Sequence, residues 1–293
     1  MRIALGFLAV WPPVVGCDEM AARVVQDAAV PQDSEAWMRL IADPYTLGPG
    51  EEISGSETRI LERNLLIAGI RPHAPAGTHH MVLSVPGKDH LDQLFVSVLG
   101  TETLRFPAGV GFSLPAGTPA RLDVHYFNPT DAAVADEAAV EILEQPAKDG
   151  PLMIADQIYP AVLDGEIPPG TITTLTGHCT VSWPSRLFAL LPHMHWLGQH
   201  MVVTLRRASD GGRPIQGESE VVLYDDDVDP LHQTYLEISE VDVAVGDVLT
   251  VSCIYENTTD TTVHIAGSSS DEMCVAMIYR YPGSPDQDLY CTE

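Results

Sequence analysis

The sequence predicts an all-β protein of two tandem antiparallel β-sandwich domains of jelly-roll-like type, and two observations carry that prediction. Beyond about Tyr45, short apolar segments alternate with polar residues at a period of two, as in HMVVTLRR and VLTVSCIYEN. Turn sequences rich in Pro, Gly, Asn and Asp separate these segments, and no long amphipathic helix interrupts them. A chain with this texture is expected to fold as stacked antiparallel sheets.

Composition and turn residues suggest the domain limits. Residues 18–43 are small and polar and are predicted to be a tether, with a short helix around Glu35 to Ile41. Proline and glycine cluster at residues 159–170, YPAVLDGEIPPG, between two strand-like segments. The predicted sandwiches therefore cover residues 44–164 and 165–293.

Length and charge limit the class of protein. The 293 residues, 45% of them hydrophobic, are enough for two domains of ordinary size. With 15 Lys and Arg against 41 Asp and Glu, the formal net charge of −26 repels phosphate backbones and anionic lipids, so no nucleic-acid partner is expected. The acidic run DDDVD at residues 225–229 lacks the ligand spacing of a calcium loop and is interpreted as a solvated turn.

The first 17 residues, MRIALGFLAVWPPVVGC, are typical of an export signal, with one basic residue followed by an apolar stretch. Their ending, VVGC, resembles a bacterial lipobox, in which Cys17 is lipidated; the alternative is an ordinary signal cleaved nearby. The predicted location is the periplasm or the cell surface, with membrane contact only through a lipid on Cys17. No later segment has the run of about 18 apolar residues that a membrane helix needs.

Four further cysteines, all in the second half of the chain, support export. They are Cys179, Cys253, Cys274 and Cys291. An even set without a CxxC zinc spacing indicates disulfides formed in an oxidising compartment, and the spacing alone leaves all three pairings open.

Three histidine motifs carry the chemistry: HHM at residues 79–81, VHY around His125, and HMH at residues 193–195. His193 and His195 are two residues apart, so on a strand both project from one face. The adjacent pair, His79 and His80, would point to opposite faces unless the chain twists or bulges there, and we expect one to use Nδ1 and the other Nε2. Each motif alone is more typical of a surface or hydrogen-bonded histidine than of a metal ligand.

Met273 favours the interpretation of these histidines as metal ligands. This methionine in SSSDEMC follows polar serines and would be an unusual core residue. Imidazole groups combined with a thioether suit copper, since soft sulfur stabilises Cu(I) and imidazole serves both oxidation states. Met194, between the two histidines of HMH, is predicted to be a core residue.

In their order along the chain, HHM, VHY, EIPPG, HMH and HIAGSSSDEMC resemble the copper type II, ascorbate-dependent monooxygenases, as a bacterial-type exported member. The resemblance covers most of the chain after about residue 45. It implies two copper ions, separated by a solvent-filled cleft between the domains. His79, His80 and His125 would hold an electron-storing ion, and His193, His195 and Met273 would hold the ion that activates oxygen for catalysis.

The resemblance also implies the reaction and its reagents. O2 and a one-electron donor such as ascorbate would serve to hydroxylate a C–H bond of a small-molecule substrate. Peptide-amidating members anchor a carboxylate with an arginine, an asparagine and a tyrosine, where this chain has Leu191, Val275 and Met277. A carboxylate without these partners is costly to desolvate, so the expected substrate is neutral and hydrophobic rather than a glycine-extended peptide.

Several further residues take their expected roles from the same resemblance. It implies the disulfides Cys253–Cys274 and Cys179–Cys291, and a supporting or structural role for His264. Asp123 replaces a glutamine two positions before His125 and would place a carboxylate near the first copper ion. The remaining histidines have no spacing argument and are predicted to be surface or hydrogen-bonded residues: His73, His90, His178, His200 and His232.

Two other kinds of protein remain open from the sequence. A non-catalytic copper-binding or copper-sensing exported protein would bind copper without ascorbate-dependent O2 consumption. A structural sandwich with incidental histidines would bind no copper. The sequence does not name the substrate, the physiological reductant or the oligomeric state.

Overall fold

The computed structural model describes residues 36–87, 91–145, 152–208, 220–266, 271–284 and 290–291. Within these ranges the chain forms β-strands and no helix, which confirms the predicted all-β class. It follows that no helix in the same ranges is long and apolar enough to cross a membrane.

The first half of the described chain contributes ten strands. They are β1 (Trp37–Leu47), β2 (Glu52–Ile60), β3 (Leu65–His73), β4 (Thr78–Pro86), β5 (Leu91–Ser97), β6 (Leu104–Arg105), β7 (Val110–Leu114), β8 (Pro119–Phe127), β9 (Val134–Glu144) and β10 (Met153–Ile154). They form a six-stranded sheet ordered β1-β9-β3-β7-β10, with β6 on β3, and a four-stranded sheet ordered β2-β8-β4-β5. Alternate side chains, such as Leu122 and Val124 of β8, fill the core between them. We call this pair of sheets the first sandwich.

The second half contributes eleven strands. They are β11 (Asp156–Val162), β12 (Glu166–Ile167), β13 (Ile172–Thr180), β14 (Ser185–His193), β15 (Gly198–Arg206), β16 (Glu220–Asp227), β17 (Leu236–Val243), β18 (Val248–Glu256), β19 (Val263–His264), β20 (Cys274–Tyr281) and β21 (Tyr290–Cys291). A five-stranded sheet has the order β17-β14-β20-β11-β21, a four-stranded sheet has the order β13-β18-β15-β16, and β12 pairs with β19. We call these sheets the second sandwich. Its strand β11 lies before the boundary predicted after residue 164.

Strands β14 and β20 are buried on both faces of their sheet. Every residue of β20 is buried, and so are all but one of β14. One face packs against β15 and β18, while the other, with Phe188, Leu191 and Tyr279, joins the hydrophobic core of the first sandwich. The apolar runs FALLP and CVAMIY match a strand that is covered on both sides. The two sandwiches therefore share one continuous core.

Side chains of the second sandwich also cover the outer edge of β5. The Leu94 carbonyl accepts hydrogen bonds from the Tyr279 hydroxyl at 2.6 Å and from Gln157 Nε2 at 3.2 Å. The Tyr235 hydroxyl donates to the Val96 carbonyl at 3.0 Å and accepts from its N–H at 3.2 Å. These bonds fix the position of β5 relative to the second sandwich.

The short helix predicted around Glu35 to Ile41 is wrong from Trp37 onward. These residues belong to β1, which pairs with β9 through a bulge between Arg39 and Ile41. Leu40 and Ile41 are buried in the core of the first sandwich, so tertiary packing overrides the local tendency. The first sheet thus starts inside the range that was predicted to be a tether.

The cysteines are disulfide-bonded where the structure describes them. Cys253 of β18 is bonded to Cys274 of β20, as the sequence resemblance implied. Cys179 is disulfide-bonded as well. The side chain of its predicted partner, Cys291, lies outside the described residues, so the Cys179–Cys291 pairing stays a prediction.

Candidate metal centres

Three histidines of the first sandwich converge on one point. His79 and His80 lie on β4, and His125 lies opposite them on β8. The pairing of β4 with β8 shifts between Thr78 and His80, so His79 is the extra residue of a bulge. That bulge turns two adjacent side chains toward the same place, which is the irregularity that the HHM motif required.

The distances between these rings suit a metal ion. His79 Nδ1 lies 3.2 Å from His80 Nδ1 and 3.3 Å from His125 Nδ1. Two nitrogens bound to one ion at about 2.0–2.1 Å, with angles of about 90–110°, lie roughly 2.9–3.4 Å apart. The atoms that meet are three Nδ1 atoms, which differs from the expected mixture of Nδ1 and Nε2. We call this cluster the three-histidine site.

Glu52 orients His125 from behind. Its Oε1 lies 2.6 Å from His125 Nε2, which therefore donates its N–H to the carboxylate and leaves the Nδ1 lone pair facing the three-histidine site. Asp123, the carboxylate expected near this site, is instead held by Arg121 at 2.7–2.9 Å. Sequence reasoning missed Glu52 because only the register of β2 against β8 brings it to His125.

Two histidines of the second sandwich are oriented by hydrogen bonds as well. His193 ends β14, and its Nδ1 lies 2.9 Å from Gln233 Oε1. His195 follows in the turn after β14, and its Nδ1 donates to the Asp271 carbonyl at 2.7 Å. Both acceptors are oxygens, so each ring carries its proton on Nδ1 and keeps an Nε2 lone pair for a metal.

Glu272 links the turn after β14 to the segment that carries Met273. Its carboxylate is buried and accepts backbone N–H bonds from His195 at 3.0 Å and from Leu197 at 2.7 Å. Burial raises the pKa of Glu272, while these N–H groups oppose the shift. Asp271 and Glu272 thus bind the same turn in succession, and neither Glu272 nor Gln233 was predicted to take part.

Met273 is anchored through its backbone and its neighbour. The Tyr255 hydroxyl donates to the Met273 carbonyl at 2.8 Å, and the next residue, Cys274, is disulfide-bonded to Cys253 of β18. We call His193, His195 and Met273 the histidine–methionine set.

The three-histidine site and the histidine–methionine set border one cavity of about 280 Å³. Its lining includes His79 and His80 from the first, and His193, His195 and Met273 from the second. Both groups of side chains therefore share a cavity with a mainly apolar wall. Other lining residues are Val82, Val96, Val98, Leu99, Trp196, Pro230, Gln233 and Met277.

The cavity favours neutral imidazoles. Burial lowers the pKa of His80 to about 4, with smaller contributions from nearby histidines of both sets. Burial also lowers the pKa of His193 to about 4. Because metal ligation requires the neutral ring, both side chains are in the binding form at pH 7.

The remaining histidines take part in neither set in the part of the chain that the structure describes. His178 contacts Thr250, His232 contacts Asp229, and the exposed His264 lies 3.9 Å from Glu166. The backbone carbonyl of His264 accepts the Glu272 N–H, which agrees with a structural role. His73 is exposed, and His90 lies outside the described residues.

Two other sequence predictions can be compared with the structure. Met194 is fully buried in the core of the second sandwich, as predicted. The prediction that DDDVD forms a turn is wrong. Residues 225–227 are the end of strand β16, and their side chains are exposed on this outer strand of the sheet.

The second half of the chain matches a known domain. Residues 153–293 fit the profile described as the C-terminal domain of copper type II ascorbate-dependent monooxygenases. In the solved structures, a turret protein of the Sulfolobus turreted icosahedral virus covers 83% of this chain and 97% of its own. With a TM-score of 0.19 and 13% identity, this match supports no inference about fold or function.

Three relatives extend the match toward the first half. Dopamine beta-hydroxylase of Rattus norvegicus is 30% identical over 202 residues, covering 63% of this chain and 31% of that protein. Peptidylglycine alpha-amidating monooxygenase of Rattus norvegicus is 27% identical over 252 residues, covering 75% and 24%. Peptidyl-glycine alpha-amidating monooxygenase A of Xenopus laevis is 24% identical over 250 residues, covering 77% and 26%.

The chain spans about a third or less of the length of these relatives. The matched domain and the relatives point to the same family that the histidine and methionine motifs resemble. These matches support the copper type II ascorbate-dependent monooxygenase family, whose C-terminal domain residues 153–293 of this chain fit.

Proposed function

We propose that this chain is a copper-dependent monooxygenase that uses O2 and a one-electron donor such as ascorbate to hydroxylate a C–H bond of a small substrate. One observation carries the proposal: two sets of candidate metal ligands border the same cavity, and hydrogen bonds orient three of the six side chains. A structural or surface role would not need imidazoles held in one tautomer.

The donor sets fit two copper ions. His79, His80 and His125 would hold one ion, and His193, His195 and Met273 the other, where the thioether suits Cu(I). Bound copper supplies one-electron redox chemistry and reacts with O2, which no protein side chain does alone. Glu52, Gln233 and the Asp271 carbonyl keep the ring protons on the nitrogens that face away from the ions.

The cavity wall supports a neutral, apolar substrate. No lysine or arginine is present in the lining that the structure describes, and His80 and His193 are neutral at pH 7. A carboxylate would enter without a charged partner, at a cost of about 1–3 kcal/mol or more. Met277, at one of the three anchor positions, lines the cavity, whereas Leu191 is fully buried in the core.

The size of the cavity supports a small substrate. Its volume of about 280 Å³ is roughly twice that of a 150 Å³ engineered cavity that binds benzene. One ring with a short side chain would fill it. Trp196 lines the cavity with its side chain 55% exposed, so it offers an apolar surface at the mouth.

Copper loading and oxygen consumption test this function. The protein should bind two copper ions, and X-ray absorption of the reduced form should show sulfur scattering that disappears in Met273→Ile. With ascorbate, O2 and a panel of neutral aryl-alkyl and aliphatic compounds, mass spectrometry should detect a hydroxylated product. His178→Ala is the matched control, because this exposed histidine hydrogen-bonds to Thr250 and belongs to neither set.

Three outcomes would contradict parts of the proposal. Two bound ions without ascorbate-dependent O2 consumption would support the non-catalytic copper-binding alternative. A stoichiometry of one or zero would remove the ligand assignment. Efficient hydroxylation of a glycine-extended peptide would contradict the neutral substrate class.

The proposed location is outside the cytoplasm. The disulfide between Cys253 and Cys274 supports it, because disulfides persist in oxidising compartments. The predicted signal and lipobox, residues 1–17, lie outside the described residues. Mass spectrometry of the mature N-terminus would show whether Cys17 carries a lipid.

A further inference from the structure

A short segment before β17 connects the first sandwich to the histidine–methionine set. It comprises residues 231–235, and we call it the coupling segment. On one side it contacts the end of β5 and the loop that follows, residues 96–102. On the other side its central residue, Gln233, reaches His193.

The contacts with the first sandwich are specific hydrogen bonds. Gln233 N–H donates to the Leu99 carbonyl at 2.9 Å, and Thr101 Oγ1 donates to the Gln233 carbonyl at 2.8 Å. Glu102 N–H donates to Thr234 Oγ1 at 2.9 Å. Together with the bonds of Tyr235 to β5, they fix the backbone of the coupling segment against the loop after β5.

Gly100 lets the two backbones approach closely. Its φ is +83°, and an added Cβ would lie 2.6 Å from His232 Cα and 3.0 Å from the Leu231 carbonyl oxygen. Those contacts are with backbone atoms, which cannot rotate away as a flexible side chain does. Any side chain at residue 100 would push the coupling segment out of place.

Both the nitrogen and the oxygen of the Gln233 side-chain amide are hydrogen-bonded. Its Nε2 donates to the carbonyls of Met194 at 3.1 Å and Pro230 at 3.2 Å. Its Oε1 accepts from His193 Nδ1 at 2.9 Å and from Met194 N–H at 3.3 Å. Because the amide nitrogen already faces two carbonyls, the oxygen must face His193, which fixes the imidazole proton on Nδ1.

We propose that Gln233 is a positioning residue through which the loop after β5 sets the tautomer and orientation of His193. The first sandwich thus controls the geometry of the histidine–methionine set without contributing a ligand to it. The metal-related part of this inference rests on the proposed function, but the tautomer part does not require copper.

The first experiment uses the copper-free protein. Long-range ¹⁵N–¹H NMR with labelled histidine should show His193 with the proton on Nδ1 in the parent. Gly100→Ala and Thr101→Val should each shift the His193 resonances, although neither residue borders the His193 ring. Gly117→Ala is the matched control, because Gly117 has a similar φ of +86° and nothing lies within 4 Å of its added Cβ.

The second experiment measures Cu(I) affinity by competition with chelators. Gln233→Leu should weaken binding by the histidine–methionine set about 10–100-fold, as loss of an orienting partner does, and leave the three-histidine site unchanged. Unshifted His193 resonances in both loop variants, or equal weakening of both sites, would overturn the inference. If the protein lacked monooxygenase activity, the NMR result would still decide it.

Discussion

At the scale of single residues, Glu52 orients one ring of the three-histidine site. Glu52 accepts the Nε2–H of His125 at 2.6 Å and lies on the side of the ring away from the other two histidines. We expect Glu52→Ala to weaken Cu(I) binding at this site about 10–100-fold. Chelator competition measures it, with Glu57→Ala as control, an exposed residue on the same strand. An unchanged affinity would show that His125 needs no carboxylate.

In the second sandwich, Glu272 supports the turn after β14 by accepting backbone N–H bonds. Glutamine in its place keeps one acceptor oxygen but points an NH2 group at a backbone N–H of residue 195 or 197. One buried donor is then unsatisfied, so Glu272→Gln should lower the free energy of unfolding of the copper-free protein by about 1–3 kcal/mol. Urea denaturation measures this, with the exposed Glu166→Gln as control. A stability equal to that of the control would contradict it.

At the scale of elements, β15 and β16 are joined by a charged clamp. His200 of β15 donates from Nδ1 to Asp227 at 2.8 Å and from Nε2 to Asp225 at 2.8 Å, both on β16. The hydrogen bond to Asp227 contributes most to a raised pKa of His200, and the bond to Asp225 adds to it. The partner of His200 on the other side, Ile254 of β18, carries no charge.

A raised pKa means that protonated His200 stabilises the folded state. That contribution is complete below the unfolded value of about 6.5 and is lost as pH rises through the higher folded value. The difference in free energy of unfolding between the parent and His200→Gln should therefore be largest at acidic pH and shrink toward alkaline pH. Urea titrations at several pH values measure it. A difference as constant as that of His178→Gln would contradict the clamp.

The sequence predicts elements better than it predicts the partners that tune a site. Alternation in RLDVHYF predicts β8. Adjacent histidines on a regular strand point to opposite faces, so HHM can supply two ligands to one site only at a bulge. The partners depend on pairing between distant segments: Glu52 is 73 residues from His125, Gln233 is 40 from His193, and Glu272 is 77 from His195. No local pattern marks these residues, because each role comes from strand register or from packing between sandwiches.

At the scale of the whole molecule, aromatic side chains of the shared core join the two sandwiches. Phe106 and Phe112 of the first sandwich pack against Phe188 and Tyr279 of the second, with ring centroids 5.7–6.3 Å apart. We expect one unfolding transition in urea, detected together by tryptophan fluorescence and circular dichroism. Two separated transitions would mean that each sandwich is stable alone.

The covered edge of β5 has a consequence for synthesis. An open edge strand is a template for pairing with another chain, and here Gln157, Tyr235 and Tyr279 occupy it. The Tyr235 hydroxyl that shields Val96 is 139 residues further along the chain. Until it emerges from the ribosome, β5 is exposed to neighbouring nascent chains. Intermolecular aggregation should therefore be most frequent in chains arrested before Tyr235 has emerged from the ribosome.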